Sequence, residues 1–221
     1  MLILVVFAAG CRLEGEPHSI ARESALERYL AESPDRPGLV VDVDDTLVDG
    51  GLCSKIRLFL NLFPSLQAPF DDAPRVLTAL EERWNLVLLT SRDDFYRART
   101  LKWLDRQVFP RVPVVFSRRV LFTAASRAEF KRQAIEALMR RGLRLRRGVG
   151  DKASDIDAYG RNGLLAILIL DGHDDADLPR TLETLGIDSW TPGDASAGPL
   201  EMVCFSRRTG WTRIAEHLRR D

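Results

Sequence analysis

A chain of 221 residues, 45% apolar and 29% charged, can bury the core of one α/β domain, and its composition is that of a soluble globular protein. Three cysteines at positions 11, 53 and 204 form neither a metal-like cluster nor a paired framework, which excludes a zinc module and a disulfide scaffold. Formal charge sums to zero but is unevenly laid out: residues 92–147 carry 16 Lys/Arg against 5 Asp/Glu, and residues 148–201 carry 3 against 11. Solvated helix faces account for such runs; a basic face beside a phosphate site would also attract anionic lipid or nucleic acid.

Met1 to Ala9 is an unbroken apolar run followed by Gly10-Cys11. Nine residues cannot cross a bilayer, and a short apolar segment ending in small residues has the form of a signal peptide. The alternatives are an N-terminal β-strand or a start codon placed too late. Ser19 to Glu32 is helix-like and stops before Pro34 and Pro37. Next comes Leu39-Val40-Val41-Asp42-Val43-Asp44-Asp45-Thr46-Leu47, a β-branched apolar run that reads as a strand buried on both faces. Asp42 and Asp44 share one side of the extended chain. Acids at the end of an apolar strand are costly unless they hold a cation or do chemistry; the plain alternative is a solvated Asp-rich turn.

Residues 48–70 read as a turn at Asp49-Gly50-Gly51, an apolar stretch from Ile56 to Phe63, and Pro64 and Pro69. Asp72 is placed to cap a helix with Val76, Leu77, Leu80 and Trp84 on its apolar face. Asn85 to Thr90 is a second buried strand, ending in Thr90, Ser91 and Arg92. Asp93 can cap a helix whose Leu101, Leu104 and Val108 share a face, and Val112 to Phe116 is a third strand. Ser126 with Glu129 fits a capping box on a helix bearing Phe130, Lys131, Ala134, Ala137 and Leu138. A short strand leads to Gly150-Asp151-Lys152-Ala153-Ser154-Asp155, with Asp155 one helical turn beyond Asp151. Leu164 to Leu170 is a further apolar strand, Asp171 to Pro199 is acidic and turn-rich, and Trp211, Ile214, Ala215 and Leu218 mark a final helix. Strands alternating with helices predict a doubly wound, Rossmann-like parallel sheet covered on both faces.

The Asp42-x-Asp44-x-Thr46 stretch resembles the first motif of haloacid dehalogenase-like phosphatases, and Gly150-Asp151-x-x-x-Asp155 resembles the acidic motif that supplies magnesium ligands in that superfamily. Between them, in the expected order, come Thr90 at a strand end and Lys131 on a helix. The resemblance implies that Asp42 attacks phosphorus to give an aspartyl-phosphate, while Asp44 protonates the leaving group and then activates water. It implies an all-oxygen magnesium site of Asp42, the Asp44 backbone carbonyl and Asp151, with Asp155 on a water ligand or behind. Thr90 and Ser91 would bind the phosphate and Lys131 would neutralise it. Arg127 and Lys152 are competitors for the lysine's place.

The stretch from Val41 to Leu170 is most similar to the lipin-type group, on Asp42-Val43-Asp44-Asp45-Thr46-Leu47, Leu89-Thr90-Ser91-Arg92, Arg99-Thr100-x-x-Trp103-Leu104, Phe130-Lys131 and Asp155-x-Asp157-Ala158-Tyr159. That group includes magnesium-dependent phosphatidate phosphatases and phosphatidate-sensing relatives; the substrate does not follow from the similarity, and the first expectation is a magnesium-dependent phosphomonoesterase acting on phosphatidate or another lipid phosphate. The Tyr96-Arg97-x-x-Thr100 and Trp103 segment is similar to the phosphatase domain of polynucleotide kinase, and nucleic-acid ends or small metabolites are the alternative substrates. A lipid-phosphate-binding module without turnover is the alternative of another class. Gly10-Cys11 resembles a bacterial lipobox, which implies lipidation at Cys11 and membrane anchoring; without it the expectation is cytoplasmic. The chain thus divides into a signal segment at 1–11, a helical segment at 12–37 and a catalytic domain at 38–221. Neither motif gap is read as holding a separate cap domain.

Overall fold

The computed structural model describes residues 16–48, 68–171, 200–205 and 210–219. Its elements are β1 (His18–Ala21), α1 (Glu23–Glu32), β2 (Gly38–Asp42), α2 (Ala73–Glu81), β3 (Asn85–Asp93), a 3₁₀ turn (Asp94–Tyr96), α3 (Arg97–Arg106), β4 (Val114–Ser117), α4 (Ala124–Arg140), β5 (Leu145–Gly150), α5 (Ala153–Arg161), β6 (Leu165–Asp171), β7 (Leu200–Phe205) and α6 (Gly210–Leu218). The seven strands lie in the order β1-β4-β3-β2-β5-β6-β7. All neighbouring pairs are parallel except β1 with β4.

Connections run outward from β2 in both directions, so right-handed crossovers place α2 and α3 on one face and α4 and α5 on the other. The packing agrees, with α4 against α5 and α2 against α6. A crevice opens at the carboxyl ends of strands where the order reverses, here between β2 and β5. Leu39, Val40 and Val41 of β2 and Leu86 to Leu89 of β3 are wholly buried, as continuous apolar strands between two helical layers should be. Gly148 of β5 lets Tyr159 lie flat on the sheet: a Cβ there would come within 2.4 Å of the ring. The Tyr159 hydroxyl donates to the Val149 carbonyl at 3.1 Å.

The last helix is bound to the loop after β2. Trp211 is fully buried, and its indole N–H donates to the Thr46 carbonyl at 3.0 Å. Burying an aromatic of this size is worth about 4–6 kcal/mol by area, against about 1 kcal/mol for the hydrogen bond. Packing therefore holds the helix and the hydrogen bond fixes its placement.

Five expectations are corrected. Ser19, Ile20 and Ala21 are strand, not helix, because they pair antiparallel with Val114–Phe116 at the sheet edge; the chain then turns through Arg22 in the left-handed region (φ 57°) into α1. Asp72 precedes α2 but gives it no side-chain cap; its carboxylate instead accepts from the Thr212 N–H and hydroxyl at 2.6 and 2.7 Å, capping α6 across the interface. Val108 does not continue the α3 face: the helix ends at Arg106, and Val108, with φ 59°, is 76% exposed. The capping box of α4 is Thr123 with Ser126, one turn earlier than expected, and Glu129 pairs with Arg132. Strand β7, parallel to β6, was not anticipated. The readings at Cys11, at residues 49–67 and at residues 172–199 lie outside the described residues.

Candidate active site

The carboxyl ends of β2 and β5 bring together three acids whose ligand oxygens lie within 4.8 Å of one another: Asp42, Asp151 and Asp155. Asp42 is the last residue of β2, Asp151 follows β5 and Asp155 sits in the first turn of α5. Asp155 is fully buried, and the Lys152 backbone N–H donates to its Oδ2 at 3.1 Å. Gly150 makes this possible, since a Cβ there would lie 2.5 Å from that of Asp155.

Lys131, 3% exposed on α4, donates its ammonium to both Asp42 and Asp155. The sequence reading set this lysine against a phosphate; here its ammonium is held by two of the acids. Lys152 is at the site too, on its other side: Nζ lies 3.3 Å from the Asp44 carbonyl oxygen, 3.0 Å from Asp45 Oδ2 and 3.1 Å from Asp151 Oδ1. Arg127 faces away, toward the Phe122 carbonyl. The Thr46 hydroxyl lies 3.2 Å from Asp151 Oδ1 and 3.5 Å from Asp42 Oδ2.

The Asp44 side chain stands apart from the cluster. Arg92 donates to Asp44 Oδ1 from Nη2 at 2.6 Å and from Nε at 3.0 Å. The Thr90 hydroxyl donates to Oδ2 at 2.9 Å. Arg92 is itself held by Nη1 donating to the Thr100 hydroxyl at 3.1 Å. Thr90 thus grips Asp44 in this structure, where a phosphate contact was expected, and Asp44 turns only its backbone carbonyl toward the cluster. No hydrogen bond ties Ser91 to the cluster: its buried hydroxyl has no hydrogen-bond partner among the described residues. Sequence reasoning assigned no role to Arg92, Thr100 or Thr46. The available signal was Arg92 two residues beyond Thr90 on one strand, a spacing that puts both on the same side.

Burial governs the titration of these groups. It lifts Asp42 well above the carboxylate range even against the opposing charge of Lys131, and it pushes Asp151 up to about 6. For Asp44 burial acts upward too, but the Arg92 charge and the hydrogen bonds from Arg92 and Thr90 outweigh it and hold the carboxyl below its ordinary value. Lys131 and Lys152 are both raised: burial disfavours their charge, and the surrounding carboxylates more than restore it.

The donors fit a divalent cation. They are all oxygen, as magnesium requires, and a positively charged ammonium already stands among the Asp44 carbonyl, Asp45 and Asp151. From Arg92 to Arg127 the chain holds only the 3₁₀ turn, α3, β4 and a loop, so no folded cap covers the site from that gap. Among the described residues no helix is long and apolar enough to cross a membrane.

The family described as PITM 1-3, LNS2 domain matches residues 39–169, more than half of the chain and all of the site. No curated protein matches the sequence. Among solved structures, an uncharacterized protein from Listeria monocytogenes serotype 4b is 13% identical with a TM-score of 0.50, over 82% of this chain and 96% of that one. A class C acid phosphatase from Bacillus anthracis with tungstate bound is 13% identical with a TM-score of 0.43, over 75% and 68%. A phosphoserine phosphatase in apo form is 14% identical with a TM-score of 0.40, over 61% and 86%. Likeness at such identities concerns the fold.

Proposed function

Because the chain belongs to the LNS2 domain family, we propose that it is a magnesium-dependent phosphomonoester hydrolase working through an aspartyl-phosphate on Asp42. One observation carries this reading: Asp42, buried at a strand end, lies beside Lys131 and within 4.8 Å of Asp151 and Asp155. A divalent cation held by Asp42, Asp151 and the Asp44 carbonyl would supply positive charge against the phosphate oxygens.

The chain's own groups do the rest. An Asp42 carboxylate oxygen forms a bond to phosphorus as the bond from phosphorus to the leaving oxygen breaks, and that oxygen takes a proton from Asp44, which acts in its protonated form against the pull of Arg92 and Thr90 toward the carboxylate. Water then attacks the phosphorus of the aspartyl-phosphate, Asp44 takes its proton, and the bond to Asp42 breaks to release phosphate. Lys131 fixes the rotamer of the nucleophile and offsets charge on the bound phosphoryl group. Asp155, locked between Lys131 and the Lys152 N–H, fixes the lysine in turn. A phosphate-binding module without turnover is the second reading, favoured by the Arg92 grip on Asp44; both carboxylates are nevertheless present, and the enzyme reading uses both.

Within this reading the substrate is a lipid phosphate. Phe95 and Phe122 are 74% and 85% exposed and Val120 is 61% exposed, beside the exposed Arg118 and Arg119. Pairing of Asp93 with Ser117 puts the turn bearing Phe95 next to the loop bearing Val120 and Phe122, at the end of the sheet where Asp42 lies. Apolar tips flanked by arginines suit an anionic interface. The same reading takes Cys11 as a lipid attachment point, and recovery of an unmodified Cys11 from the native host would end that part of it.

The test is phosphate release by the full chain from phosphatidate vesicles, nucleotides and end-phosphorylated oligonucleotides, with magnesium and with chelator. Asp42→Asn is expected to keep the fold and lower turnover of p-nitrophenyl phosphate by about a thousandfold or more, because an amide is no nucleophile. Unchanged turnover in that variant removes Asp42 from the reaction.

A further inference from the structure

The oxygens that surround the Lys152 ammonium are those a divalent ion at this site would take. Nζ has three N–H groups to give, and it lies 3.3 Å from the Asp44 carbonyl, 3.0 Å from Asp45 Oδ2 and 3.0 Å from Asp151 Oδ2. Lys131 occupies the opposite side, on Asp42 and Asp155. Two ammoniums thus face the four carboxylates of Asp42, Asp45, Asp151 and Asp155, while Asp44 is matched by Arg92. With all four acids ionised, the state a bound cation favours, the cluster is short by two positive charges, the number one divalent ion carries.

The two lysines differ in freedom. Lys131 projects from the middle of α4 with a side chain only 4% exposed, and leaving its acids would mean moving through the core. Lys152 stands just before α5 with extended backbone (φ −125°, ψ 153°) and a side chain 35% exposed. Its head can swing toward solvent without unwinding the helix.

We propose that Lys152 is the resident counter-cation of the divalent-ion seat, so that ion binding is an exchange in which its ammonium leaves the Asp44 carbonyl and Asp151. Asp45, whose backbone is in the left-handed region at φ 65°, keeps hold of the released head at the rim. The lysine thereby keeps the ion-free site from carrying excess negative charge, and it weakens ion affinity by occupying the ligands. This deepens the hydrolase reading and rests on its metal site.

The experiment is calorimetric titration of magnesium chloride into the full chain and into K152M and K152R. Exchange predicts that K152M binds magnesium about tenfold or more tightly than the parent, and that K152R, which keeps the charge, binds no more tightly. Equal or weaker binding by K152M overturns the exchange and leaves the metal site standing. No magnesium binding by either parent or K152M overturns the metal site itself. A second measurement needs no variant: reductive methylation of the parent protein, with peptide mass spectrometry. Magnesium is expected to speed labelling of Lys152 several-fold as its head is released, with Lys131 unlabelled throughout; unchanged or slower labelling of Lys152 refutes the exchange even if K152M fails to fold.

Discussion

Arg92 invests its guanidinium in one acid and one hydroxyl, and under the proposed mechanism that would make it the residue on which the acid–base step turns. Its bonds to Asp44 at 2.6 and 3.0 Å and to Thr100 at 3.1 Å fix where the Asp44 carboxyl points. A leaving group that departs readily needs no proton, whereas an alkoxide does. Arg92→Gln is therefore expected to slow hydrolysis of an alkyl phosphate about a hundredfold while slowing p-nitrophenyl phosphate less than tenfold. Equal losses on both substrates would show that Arg92 acts elsewhere. The acids themselves were legible in the sequence, because an apolar strand ending in Asp42 and a Gly-Asp strand end at Asp151 each imply a chemical task. Arg92 was not, since its partner depends on the register of β3 beside β2, in which Asp42 lies opposite Leu89, and register between separate strands is not written in either one.

Helix ends show how closely local sequence and local geometry agree here, and where they part. Among the described residues three helices finish with the same double hydrogen bond. Gly142 N–H reaches the Met139 carbonyl and Leu143 N–H that of Leu138; Gly163 and Leu164 reach Gly160 and Tyr159; Val108 and Phe109 reach Asp105 and Leu104. This closure requires a left-handed residue, with φ of 105° at Gly142 and 71° at Gly163 but 59° at Val108. A β-branched residue pays about 1–2 kcal/mol for that conformation, and an exposed side chain returns little by burial. Val108→Gly is expected to stabilise the protein by about 1 kcal/mol, a rise of about 2–4 °C in melting temperature. A lower melting point would mean the Val108 side chain has packing value its exposure hides. The same position explains a misreading: helical spacing placed Val108 on the apolar face, while the turn gives that place to the buried Phe109, which packs on Trp103 at 5.3 Å. At β1, four residues of mixed polarity carry no strand signal of their own, and only the exposed edge of β4 makes them one.

Taken together, the described residues gather their acid cluster at the carboxyl end of the sheet. The crossover pattern, legible from strand–helix alternation, sends β2, β3, β4 and β5 to finish on the same side, and with them Asp42, the Phe95 turn, the Phe122 loop and Asp151. A protein that works at a lipid surface would rest there on its apolar tips. Replacing Phe95 and Phe122 by Glu is expected to weaken sedimentation with anionic phosphatidate-containing vesicles about tenfold or more, with p-nitrophenyl phosphate turnover unchanged. Undiminished sedimentation would place the membrane contact elsewhere. The hydrogen bond from Trp211 to the Thr46 carbonyl has its own consequence at this scale. It joins the helix at Gly210–Leu218 to the loop after Asp42, so the surroundings of Asp42 are completed only once a segment 165 positions downstream has been made and docked. During synthesis on the ribosome, every acid of the cluster would be translated before the indole that anchors their loop has been made.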